Sequence, residues 1–133
     1  MSSDKLKVLI VDDDPMQIEL VCRFLRSDCF EVSSSTSPIG VSNVVRTFAP
    51  DVVLIDVNIP ALSGDRLLTL AKKGAPSHTL FVLYSASDET TLRKLAAGVS
   101  ADGWISKSVG ASEMGMKLRT MCARRAVRQE TAR

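Results

Sequence analysis

A doubly wound α/β fold, in which helices flank a five-stranded parallel sheet, is what this sequence predicts. Three observations carry that expectation. Apolar runs of strand length alternate, five times over, with stretches whose apolar residues recur at helical spacing. The run Val52-Val53-Leu54-Ile55 is apolar at every position, the pattern of a central parallel strand buried on both faces. Every strand run except the second leads into a functional side chain, and in open parallel sheets ligands collect outside the carboxyl ends of the strands.

Taken in order, Lys5 to Val11 is the first strand and runs into Asp12-Asp13-Asp14-Pro15. Asp14 is a good N-cap and Pro15 a good first helical residue. Ile18, Val21, Cys22 and Leu25 then make one helical stripe to about Ser27. Phe30 to Ser34 is a short second strand. Ser37 and Pro38 are expected to open the second helix, with Val41, Val44, Val45 and Phe48 inward and Ala49-Pro50 as its stop. The third strand, Val52 to Asp56, is followed by a loop over 57–63 and a helix from Gly64, with Leu67, Leu68 and Ala71 inward and Lys72-Lys73-Gly74 as its end. Thr79 to Tyr84 is the fourth strand. Asp88 caps a helix ending near Gly98, with Leu92, Leu95 and Ala96 expected to be buried. Gly103 to Ser106 is the fifth strand, ending at Lys107. A last helix from about Ser112 presents Met114, Leu118, Met121 and Cys122 to one side, and fraying is expected after Ala126. The domain reading is one unit over 1–122 and a basic tail over 123–133. The usual strand order at this size is 2-1-3-4-5, with the switch point between strands one and three.

The bulk numbers exclude several classes. At 133 residues, with 45% hydrophobic and 24% charged residues, the composition is that of a globular domain. No stretch reaches the length of a membrane span, and the first residues lack the layout of a signal peptide. Three cysteines without a C-x-x-C pair read as reduced thiols in a cytosolic protein, so a cytoplasmic location and no membrane partner are expected. Residues 117–133 hold six basic residues against one acid. That run reads as a solvated helix end whose charge suits the helix dipole, and no nucleic-acid contact is expected from it.

Parallel strands bring Asp12, Asp13, Asp56, Ser85 and Lys107 to one edge of the sheet. Adjacent strands lie about 4.8 Å apart, which puts Asp56 close to the Asp12-Asp13 pair. Carboxylates that close repel one another. A hard divalent cation such as Mg²⁺ relieves the repulsion and leaves a position for a phosphoryl oxygen. Lys107 adds a point charge suited to phosphate, and Ser85 a hydroxyl donor. The set describes a phosphoryl-transfer site with Asp56 as nucleophile. His78, the only histidine, reads as a solvated loop residue.

At this point the chain resembles the receiver domain of two-component response regulators, over about residues 5–122. The motifs are Val-Asp-Asp at 11–13, Asp56-x-x-Ile59-Pro60-x-x-x-Gly64, Ser85-Ala86, and Lys107 after Trp104. The resemblance implies a flavodoxin-like fold and Mg²⁺ held by Asp13 and Asp56, with Asp12 acting through water and Asn58 through its backbone carbonyl. It implies phosphorylation of Asp56 by a sensor histidine kinase or phosphotransfer protein. Ser85 and Trp104 would form the switch, Lys107 would pair with the phosphoryl group, and Asn58 and Ser87 would tune dephosphorylation. The output would be a protein bound at the face of helix four, strand five and helix five. The only enzymatic activity expected is self-catalysed phosphoryl transfer. Two positions depart from the family pattern. Ser108 stands where proline is usual after the lysine, and a cis bond before serine would cost about 2.5–4 kcal/mol. Trp104 stands where tyrosine or phenylalanine is commoner.

Other readings are weaker. A phosphorylation-independent adaptor keeps the fold but makes no use of the acids. A phosphatase resembling the haloacid dehalogenases, built on Asp12-x-Asp14, needs threonine or valine where Met16 stands. A flavodoxin-like electron carrier needs a Ser/Thr/Gly-rich loop after the first strand.

Overall fold

The computed structural model describes residues 5–37, 39–56, 64–86 and 88–131. Its elements alternate as β1 (Lys7–Val11), α1 (Pro15–Ser27), β2 (Glu31–Ser35), α2 (Val41–Phe48), β3 (Val52–Asp56), α3 (Gly64–Lys72), β4 (Leu80–Ser85), α4 (Glu89–Gly98), β5 (Gly103–Ser106) and α5 (Ala111–Thr131). The five strands form one sheet in the order β2-β1-β3-β4-β5, all pairings parallel. The doubly wound fold is therefore the one expected.

Strand alternation divides the core. Val8, Ile10, Val52, Leu54, Val82 and Ile105 face α1 and α5, where Ile18, Val21, Leu25, Met114 and Leu118 cover them. Leu9, Val11, Val53, Ile55 and Phe81 face α2 and α3, beneath Val41, Val45, Leu68 and Ala71. Leu83 packs with Leu92 and Ala96 of α4. Strands β3 and β4 are buried along their whole length, so no charged residue fits before their last positions.

Helix starts follow local chemistry. The Asp14 carboxylate accepts from the Met16 N–H at 3.0 Å with Pro15 at the first helical position. The Asp88 carboxylate accepts from the Thr91 N–H at 2.8 Å at the start of α4. The second helix is a correction. It opens at Val41 behind Gly40, whose φ of 81° is left-handed, and not at Ser37. The Ser37 hydroxyl accepts from the Ile39 N–H at 3.1 Å, so Ser37 makes a turn ahead of the helix. Pro38 lies outside the described residues, as does the Leu67 side chain. Leu95 is the second correction: it is 41% exposed. α4 covers only the β4–β5 end of the sheet, and the narrow stripe of Leu92 and Ala96 suffices there. The last helix runs on to Thr131 where fraying is expected. Arg, Ala, Gln and Glu in that segment are strong helix formers and hold the backbone without an apolar face.

Candidate functional site

The site is built at the carboxyl ends of β1, β3, β4 and β5. Register sets it: Val11 is opposite Ile55, Asp56 opposite Tyr84, and Ser85 opposite Ser106. Asp12 therefore follows β1 where Asp56 ends β3. Asp12 is 2% exposed and Asp56 5%, while Asp13 reaches solvent. One carboxylate oxygen from each of the three lies within 4.8 Å of the others. Lys107 Nζ is 3.3 Å from Asp12 Oδ2 and 3.3 Å from Asp56 Oδ2, bridging the two buried acids. Among the described residues, three negative charges thus meet the Lys107 ammonium. Hard oxygen donors with an uncompensated charge are the donor set a small divalent cation takes.

The loop behind Lys107 is ordered without proline. No peptide bond among the described residues is cis, so Lys107–Ser108 is trans. The Lys107 N–H donates to the Ser85 carbonyl at 2.7 Å and extends the β4–β5 pairing by one bond. The Ser108 N–H donates to Ser106 Oγ at 3.2 Å, and the hydroxyls of Ser106 and Ser108 share a hydrogen bond of 2.8 Å. These bonds pin the backbone on both sides of Lys107.

Tyr84 completes the wall. It is 5% exposed, and its ring centroid is 5.2 Å from Lys107 Nζ. Burial first, then the charges of Asp12 and Asp56, push its phenol up to about 12 from an ordinary value of 10. A phenol harder to ionise in the folded state binds its proton while the unfolded one has lost it. Stability is therefore fully present below pH 10 and is lost between pH 10 and about 12. The expected loss across that window is about 2–3 kcal/mol. Tyr84 is the only tyrosine, so phenolate absorbance reads this one group. The native midpoint should lie near 12, falling to near 10 in denaturant; equal midpoints would contradict the burial argument.

The structure brings Asp12, Asp13, Asp56, Lys107 and the Ser85 backbone together. The Ser85 residue is fully buried. Trp104 is half-buried and packs against Leu83, Leu92 and Ala96 on the α4 side of the sheet. Asn58, Ile59, Pro60 and Ser87 lie outside the described residues. Sequence reasoning missed Tyr84 and the Ser106–Ser108 pair. Their signals are an aromatic closing an apolar strand beside Ser85, and serines flanking the lysine.

The family model for the response regulator receiver domain matches residues 8–119. The chain belongs to that family. Among curated relatives, the DNA-binding transcriptional activator EvgA of Escherichia coli is 29% identical over 106 residues, covering 79% of this chain and 52% of EvgA. The nitrate/nitrite response regulator protein homolog of Haemophilus influenzae is 34% identical over 108 residues, covering 78% of this chain and 50% of the relative. The chain spans about half the length of these curated relatives. A receiver domain protein described as CheY-like, from Methanospirillum hungatei, superposes with a TM-score of 0.79 at 21% identity. That match covers 94% of this chain and 99% of the other. A receiver domain protein from Clostridium thermocellum gives 0.78 at 23% identity, covering 92% and 98%. These structures share the fold. This receiver is a component of two-component signalling, a regulator by family. Among the described residues, no helix is long and apolar enough to cross a membrane.

Proposed function

We propose that this receiver is a phosphorylation-controlled switch in which Asp56 accepts a phosphoryl group from a phosphohistidine on a sensor kinase or phosphotransfer protein. The observation that carries the reading is the Lys107 ammonium at 3.3 Å from both buried carboxylates, with a third acid in reach. An Asp56 oxygen forms the new P–O bond as the P–N bond breaks, and the leaving imidazole takes up a proton from solvent. Lys107 shifts from carboxylate to phosphoryl oxygen as charge moves outward. Ser85 and Trp104 are the proposed switch residues, and the hydroxyl of Ser85 would donate to the phosphoryl group.

Mg²⁺ is the proposed cofactor, with Asp12, Asp13 and Asp56 to hold it and the Asn58 backbone carbonyl as a further ligand. When bound, it offsets carboxylate charge and offers a place to a phosphoryl oxygen. The proposed receiver unit is 1–122, with the basic segment 123–133 accessory to it. Its outputs are read as protein contacts through α4, β5 and α5 in the cytoplasm. DNA binding belongs to the relative named for it, and a protein output is proposed for the part matched here.

The test is intact mass after incubation with acetyl phosphate, with Mg²⁺ and with chelator. One phosphoryl group should be added, and only with Mg²⁺. No adduct in a sample shown to bind Mg²⁺ would leave the phosphorylation-independent adaptor as the better reading.

A further inference from the structure

The lysine of this site has an aromatic neighbour that the phosphoryl chemistry above does not use. A lysine stem has four rotatable bonds, so fixing its backbone does not fix its ammonium. The near end of Lys107 is fixed by its N–H on the Ser85 carbonyl at 2.7 Å and by the Ser106–Ser108 hydroxyl pair at 2.8 Å. The far end touches three groups: Asp12, Asp56 and the face of Tyr84, whose ring centroid is 5.2 Å away. The two carboxylates are poor anchors once a divalent cation takes up their charge. The ring's attraction is independent of that charge. Tyr84 ends the β4 apolar run opposite Asp56, and the Lys107 side chain is only 18% exposed. A cation over a ring in so dry a place is held more strongly than one at an open surface.

We propose that Tyr84 is a positioning residue: its ring holds the Lys107 ammonium at the phosphoryl-accepting edge of the sheet when the carboxylates are neutralised. This rests on the phosphoryl-transfer reading and adds to it a second anchor for the lysine. The ring does the positioning, so phenylalanine should serve and an aliphatic side chain should not.

The experiment is a double-mutant cycle on acetyl phosphate uptake at saturating Mg²⁺, with Tyr84→Phe, Tyr84→Leu, Lys107→Ala and the Tyr84→Leu/Lys107→Ala pair. Tyr84→Phe should stay within about twofold of wild type. Tyr84→Leu should fall about tenfold in maximal rate with its Mg²⁺ affinity unchanged, and should cost nothing further once Lys107 is alanine. A merely structural Tyr84 would lower the rate equally in both backgrounds, and that result overturns the proposal. So does a Tyr84→Leu rate equal to wild type, or a Tyr84→Phe as slow as Tyr84→Leu. A second readout is independent of phosphorylation: the Lys107 ε-methylene protons, recorded by NMR with Mg²⁺ present. They should be shifted by the ring current in wild type and Tyr84→Phe and relaxed in Tyr84→Leu. Loss of that ring-current shift with Mg²⁺ in wild type overturns the proposal. If wild type takes up no phosphoryl group while the shift is present, the phosphoryl-transfer reading fails and the lysine–ring contact stands.

Discussion

Asp56→Asn is expected to abolish phosphoryl uptake while leaving the protein folded and slightly more stable without metal. The chemical half is direct: an amide has no anionic oxygen to form the P–O bond. The stability half follows from the charges. Asp56 is 3.3 Å from one ammonium but within 4.8 Å of an oxygen on each of two other acids. Coulomb energy falls as the inverse of distance, so two repulsions from within 4.8 Å outweigh one attraction at 3.3 Å. Asp56 is also 5% exposed, and its carboxylate carries a desolvation cost that an amide largely avoids. Lys107 and Asp12 remain as a one-to-one pair. The net gain should be about 1 kcal/mol, or about 3–5 °C in Tm for a chain of this size. Thermal unfolding in chelator checks it. A clear fall in Tm would mean that the Lys107–Asp56 contact outweighs the repulsion, and that lost uptake reports a damaged fold.

How much of this was legible beforehand depended on whether one force or several acted at a position. Val52 to Ile55 could be read as a central strand because all four face a helix layer, and no other structure buries four consecutive apolar side chains so simply. α1 was readable because cap, proline and stripe agree at Asp14, Pro15 and Ile18. α2 was misread because two start signals, Ser37 and Gly40, compete within one five-residue loop. Gly40 prevails since its φ of 81° suits glycine and few others, and the turn at Ser37 then precedes the helix. Leu95 shows the limit of periodicity, which names a stripe but not how much of it the sheet covers. The acids and Lys107 were legible because parallel strands deliver their ends to one edge, a consequence of topology and not of side-chain detail. Tyr84 was hidden because an aromatic at a strand end reads as core, and it is core. Its second contact, with Lys107, depends on how a long side chain folds back after β5.

Lys107→Met should produce the opposite stability effect from Asp56→Asn, and a larger one. The substitution keeps an unbranched apolar stem and deletes the charge facing Asp12 and Asp56. Two buried carboxylates are then left without that cation, a class of change that costs about 3–5 kcal/mol. The low end, about 3 kcal/mol, is expected, because Asp13 reaches solvent and water can approach from that side. The ammonium also stands between the acids that would hold a divalent cation, so metal binding to wild type has to displace it. Removing it takes away that competition. The variant should therefore be less stable than wild type in chelator and bind Mg²⁺ more tightly, so that added Mg²⁺ narrows the stability gap. Denaturant unfolding followed through Trp104, the only tryptophan, measures both, with and without Mg²⁺. Equal midpoints in chelator would show that Lys107 does not compensate the acids. A gap that Mg²⁺ leaves unchanged would show that lysine and metal do not share the site. The two substitutions together then separate the roles of charge: one acid fewer relaxes the cluster, one cation fewer strains it, and only a protein whose acids are in excess by design responds in both directions.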